Sequence, residues 1–165
     1  MNPELTQRLV KRFPILYQDY SYSASETAMC WGFSHGDGWF EIVWQLSLAI
    51  EEELGYSWLQ ERWFLLKKRL WRWLQNLRFK AFTVQPNTGF AVSEVKEKFG
   101  TLRFCCGATE TIHKYIRLAE RLSAVTCEDC GEPGGRIEHG GWISTLCDSC
   151  RKKLSVQARL PRKRG

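Results

Sequence analysis

Residues 127–150 read CEDCGEPGGRIEHGGWISTLCDSC, and this stretch decides the architecture of the C-terminal part. Cys127 and Cys130 are two residues apart, Cys147 and Cys150 likewise, with sixteen residues between the pairs. Two cysteines at that spacing curl into a tight knuckle that aims both sulfurs at one tetrahedral ion, and a second knuckle completes the shell. Four protein ligands leave no open position for water or substrate, so the expected Zn2+ is single and structural. Gly131, Pro133-Gly134-Gly135 and Gly140-Gly141 supply turns. Between and after them Arg136-Ile137-Glu138 and Trp142–Leu146 read as short strands. Knuckle, hairpin, knuckle is the layout of a zinc ribbon. His139 lies between the knuckles and is not needed as a ligand. Paired disulfides are the competing reading. The chain opens Met1-Asn2-Pro3-Glu4-Leu5 with no basic segment leading into an apolar one, and its seven cysteines are an odd number. Both features favour a reducing cytosol and metal over disulfides.

The rest of the 165 residues can hold one domain of ordinary size. Asn2-Pro3-Glu4 starts a helix that Phe13-Pro14 ends, and residues 16–37 have no clear period. Trp39 through Leu54 reads as a helix stopped by Gly55. Ser57 with Gln60 forms a capping box for a long helix to about Phe79, with Leu59, Trp63, Leu66, Leu70, Trp73 and Leu77 as its apolar stripe. The short Gly55-Tyr56 link makes these two helices a hairpin. The period then changes to that of strands at Phe82–Gln85, Phe90–Glu97 and Thr101–Cys106, the last two joined by Lys98-Phe99-Gly100. On Thr101–Cys106, Leu102, Phe104 and Cys106 share one face. Thr109 caps a helix with Ile112, Tyr115, Ile116, Ala119 and Leu122 on one side. The expected class is α+β: a helical hairpin and a small antiparallel β-sheet in residues 1–125, a zinc ribbon in 126–151, and a flexible basic tail in 152–165.

Net charge is +6, and the positive charge is segregated. Residues 151–165 hold seven basic side chains and no acid, and residues 61–80 hold seven against one. This favours an anionic partner: DNA or RNA, or an acidic face of a protein or nucleoprotein complex. The candidate contacts are Lys67, Lys68, Arg69 and Arg72, with Trp71 for stacking, and Arg151, Lys152, Lys153, Arg162, Lys163 and Arg164. A solvated helix face and a solubilising tail account for the same residues without a partner. No apolar run approaches the length of a membrane span, so no membrane partner is expected. Eight tryptophans serve either a core or an interface.

Cys30, His35 and Asp37 carry the groups of a nucleophilic triad within eight residues. Triad members usually converge from distant segments, so a turn at Gly36-Asp37-Gly38, with Asp37 capping the next helix and Cys30 buried, is the preferred reading. The vicinal Cys105-Cys106 pair is incidental, since neighbours on a strand face opposite ways. The expected protein is not an enzyme.

Three segments stand out together: Cys30-Trp31-Gly32-Phe33 through Gly36-Asp37-Gly38-Trp39-Phe40, then Val95–Phe104, then the C-x2-C with Gly140-Gly141-Trp142 leading to Cys147. Over roughly residues 13–150 this combination resembles a family of small, mostly uncharacterised bacteriophage and prophage proteins. The resemblance implies a protein made in the bacterial host cytoplasm. Small accessory phage proteins often bind and disable host machinery, so the expected role is a non-enzymatic one against host nucleic-acid-handling machinery, such as an anti-CRISPR-type inhibitor. A DNA- or RNA-binding zinc-ribbon regulator and a Cys/His hydrolase are the alternatives.

Overall fold

The computed structural model describes residues 1–56, Leu66 and 90–159. The helix expected from Ser57, with Lys67, Lys68, Arg69 and Arg72, lies outside them, as do the strand Phe82–Gln85 and the cations Arg162, Lys163 and Arg164.

Helix α1 spans Pro3–Arg12. The Asn2 side chain caps it by accepting from the Leu5 amide at 2.9 Å, and Pro3 occupies the first turn, where a missing N–H costs nothing. Helix α2 spans Phe40–Glu53 and α3 spans Glu110–Ser123, the latter capped by the Thr109 hydroxyl. Strand β1 is only Phe33–Ser34, and it runs parallel to β2 (Val92–Lys98), which pairs antiparallel with β3 (Thr101–Cys106). A second sheet joins β4 (Gly135–His139) to β5 (Trp142–Leu146) in register from Gly135↔Leu146 to His139↔Trp142. Helix α4, Asp148–Arg159, follows. The α+β class and the C-terminal cysteine-ribbon layout are therefore present.

One core unites α1, α2, α3 and the first sheet. Leu9 and Phe13, Trp39, Val43, Leu46 and Ile50, Val92 and Val95, Leu102 and Phe104, and Ile112, Ile116 and Ala119 all bury into it. The expected helical stripe of α3 departs from this at Leu122, which is 46% exposed. It borders a cleft of about 620 Å³ between α2 and α3 instead.

Residues 16–37, without a period in sequence, are ordered by tertiary contact. Tyr17 is buried, with its hydroxyl 2.6 Å from Ser47 Oγ, and its ring meets Phe33 edge-on with centroids 4.9 Å apart. Gln18 Nε2 donates to the Phe90 carbonyl, and the Leu16 carbonyl accepts from the Val92 amide. The amino group of Met1 donates to the Phe33 and His35 carbonyls, so α1 is tied to β1. Of the tryptophans among the described residues, Trp39 is core, Trp44 packs at its edge, and Trp31 and Trp142 are open to solvent. The core reading thus holds for Trp39 and Trp44 and not for Trp31 and Trp142.

Candidate metal centre

The first knuckle is a tight loop. The Cys127 amide donates to the Glu132 carbonyl at 2.7 Å and the Gly131 amide returns to the Cys127 carbonyl at 2.9 Å. Gly131 stands at φ +81°, a backbone region that a side chain would strain. The second knuckle is the start of α4: Cys147 precedes the helix, Cys150 lies in its first turn, and the Arg151 amide bonds back to the Cys147 carbonyl. The Cys150 amide also donates to Cys147 Sγ at 3.4 Å. That bond brings the Cys147 thiol down to about 7, favouring the thiolate a metal needs.

All four sulfurs lie within 4.8 Å of one another, and Cys130 Sγ and Cys147 Sγ are 3.6 Å apart. A tetrahedral zinc–thiolate shell has metal–sulfur bonds of about 2.3 Å and hence sulfur–sulfur edges of about 3.8 Å. The cluster therefore fits a four-thiolate ion. Cys127 and Cys150 are buried beneath Leu146, Ile137 and Leu154. His139 takes no part; its Nε2 lies 3.4 Å from Ser144 Oγ on the hairpin.

What the sequence did not disclose is where this centre sits. The first knuckle is docked onto the segment before α2. The Gly36 amide donates to Glu128 Oε1 at 2.9 Å, the Gly38 amide to the Glu128 carbonyl at 2.7 Å, and the Trp39 indole N–H to the Thr126 carbonyl at 2.8 Å. A Cβ on Gly38 would come within 2.7 Å of the Cys130 nitrogen, and closer still to the Cys127 oxygen and Gly131 nitrogen. A Cβ on Gly36 would meet the Glu128 carbonyl in the same way. Burial raises the Glu128 carboxyl above its usual range, an effect the Gly36 amide partly opposes. On the other side, Thr145 Oγ1 donates to the Gly100 carbonyl at 2.6 Å while its own carbonyl accepts from the Glu128 amide. The three segments that stood out in sequence thus meet in this region, with the Gly36–Trp39 turn against the knuckle and the β2–β3 turn against β5.

Asp37 does not cap α2. Its carboxylate accepts from the Asn2 amide and side chain, at 2.6 and 2.8 Å, and Trp39 holds the cap position without a side-chain bond to the helix. The amide bonds from Asn2 hold the Asp37 carboxyl below its ordinary value. His35 Nδ1 lies 2.8 Å from the Gly36 carbonyl, and its buried Nε2 has no partner. Burial lowers the imidazole to about 4. Cys30 is half-buried and shares no hydrogen bond with His35, so the three side chains do not form a hydrogen-bonded relay. Cys105 is exposed and Cys106 half-buried, as alternation along β3 requires.

Of the predicted basic contacts, Arg151, Lys152 and Lys153 are exposed. They belong to α4, which runs as helix to Arg159, so residues 152–159 are helical where a flexible tail was expected. Helical geometry continued from the Cys150 turn explains the difference: that turn supplies the nucleus, which is the costly part of a helix. No described helix is long and apolar enough to cross a membrane. Comparison with models of protein families, with curated proteins and with solved structures finds no match to this chain.

Proposed function

We propose that this is a non-catalytic binding protein, held by one structural zinc ion, whose target is a nucleic-acid-handling complex of a bacterial host. The observation that carries it is the exposed Arg151-Lys152-Lys153 turn, which directly follows the ligand Cys150 and so projects cations from a fixed base. Zinc would act there as a cross-link, fixing the knuckles and the start of α4. The setting, cytoplasmic and phage-encoded, comes from the resemblance of the three segments, and an anti-CRISPR-type inhibitor is its most concrete form. Direct binding of DNA or RNA is the second reading. The helical run of α4 favours it, since a rigid basic helix can lie along phosphates.

Affinity capture from host lysate, with and without nuclease, tests the reading. The wild-type chain retains a nucleoprotein complex, and the Arg151→Glu/Lys153→Glu variant, with its cysteines intact, releases it. In the second reading the wild type binds purified nucleic acid without protein, and that variant reduces the salt slope of log K by about 2. Retention unaffected by the charge reversal, or no nucleic-acid-bearing partner at all, would remove the proposal.

A further inference from the structure

The β2–β3 turn is built against its own sequence. Lys98 pairs with Thr101, leaving Phe99-Gly100 as a two-residue loop, with φ +54° at Phe99 and +78° at Gly100. Positive φ at both positions is the hairpin turn that Asn-Gly forms most readily. A bulky side chain in the left-handed region is costly, and Phe99 is the non-glycine residue that adopts it among those described. Burial does not offset the cost, because the Phe99 side chain is left 62% exposed.

The turn keeps this shape because it is clamped. Gly100 donates its amide to Glu97 Oε1 at 2.5 Å and accepts at its carbonyl from Thr145 Oγ1. A Cβ at Gly100 would lie 3.3 Å from Ile143 and Ser144. The ribbon thus braces the turn from one side while the phenylalanine is held outward. Strain that the surroundings over-determine marks functional positions. One cation lies by the ring and a second leaves the adjoining sheet. Lys98 Nζ lies 5.6 Å from the ring centroid. The exposed Arg136 pairs with Thr145, so its side chain leaves β4 on the face that carries the bond to Gly100.

We infer that Phe99 is a stacking platform for a base of single-stranded nucleic acid, with Lys98 and Arg136 taking the adjoining phosphates. An open ring with a cation beside it is an arrangement that single-strand binders use, and it is sequence-tolerant because every base has a flat face. The inference rests on the nucleic-acid reading above and names its substrate form.

Fluorescence anisotropy with a labelled oligothymidine, its RNA counterpart and a duplex tests it, using the full chain with zinc. The substitution Phe99→Asn suits the turn, so it separates stacking from folding. The variant is expected to melt about 2–4 °C higher, a gain of roughly 1 kcal/mol in a chain of this length. It is also expected to bind the single strand about ten-fold more weakly. Its salt slope stays at the wild-type value, because no charge is removed. Arg136→Gln does the reverse, lowering the slope by about 1. Single-strand affinity unchanged in Phe99→Asn overturns the inference. If the Arg151→Glu/Lys153→Glu variant nonetheless loses binding, the broader nucleic-acid reading survives that result. A wild type that binds neither strand nor duplex removes both. A captured protein partner that Phe99→Asn releases, in the absence of single-strand binding, assigns Phe99 to a protein interface and overturns the inference too.

Discussion

Substituting Gly38→Ala isolates the seat of the first knuckle. The φ at Gly38 is not positive, so an alanine there is conformationally allowed, and the only obstacle is the knuckle backbone itself. The added methyl would lie under 3 Å from Cys130 N and closer to two further backbone atoms, none of which can rotate away as a side-chain tip can. Either the knuckle lifts or the Gly36–Trp39 turn retreats. Both movements break the bonds from Gly36, Gly38 and Trp39 to residues 126–128. At about 1 kcal/mol net for each hydrogen bond, the loss is roughly 3 kcal/mol. For a chain of this size that corresponds to a Tm about 6–12 °C lower. The assay is thermal melting by circular dichroism, together with metal retention against a graded chelator. Zinc should leave Gly38→Ala at lower chelator concentration, because ligand geometry and docking are linked. Gly107→Ala is the control: nothing lies within 4 Å of its Cβ position, and its Tm should hold or rise slightly. A Gly38→Ala protein that melts within about 2 °C of wild type and keeps its metal would refute this docking.

Two further expectations follow from the same region. Purified under reducing conditions, the chain should carry one zinc per molecule. Chelation, or Cys150→Ser, should cost it the ribbon's near-ultraviolet signal and also quench-sensitive burial of Trp39, whose indole is bonded to Thr126; folding indifferent to chelation would count against the structural role. His35 sets a pH dependence. Burial lowers its folded value to about 4 from an ordinary 6.5, so the unfolded chain binds the extra proton first. The contribution is present above pH 6.5 and is lost as pH falls from there toward 4, amounting to roughly 3 kcal/mol. The charges facing it are the Met1 amino group and Asp37. Urea midpoints measured between pH 7 and 4.5 should fall more steeply for wild type than for His35→Phe, and parallel profiles would exclude the histidine as the cause.

Much of the architecture was legible because it rests on local chemistry. Asn2-Pro3 and Thr109 are caps that act within one helical turn, and alternation in Thr101–Phe104 reports a strand with one buried face. The cysteine spacing fixes the cluster because the knuckle is itself a local object. Where contacts are distant in sequence, the signal fades. Strand β1 has two residues, too few for a period, and it pairs with Val95 and Lys96 some sixty positions on. Asp37 beside a helix start reads as a cap, yet the Asn2 amide competes for it from α1. Gly36 and Gly38 announce small residues without saying why, since a free turn and a seat for another backbone require the same absence of a side chain. Phe99 is the opposite case: the turn chemistry argues against it, and that disagreement is the visible trace of its exposed position.

The docking of the knuckle also imposes an order on synthesis. The indole of Trp39 leaves the ribosome 87 residues ahead of its acceptor at Thr126, and the Gly36 amide 92 ahead of Glu128. At elongation rates of about 5–20 residues per second, those intervals are roughly 4–18 s. Throughout them the nascent N-terminal half must hold an unsatisfied tryptophan and two bare glycines. The cysteine ribbon therefore closes the molecule last, and a chain halted short of Cys150 would lack one of the four clustered thiols.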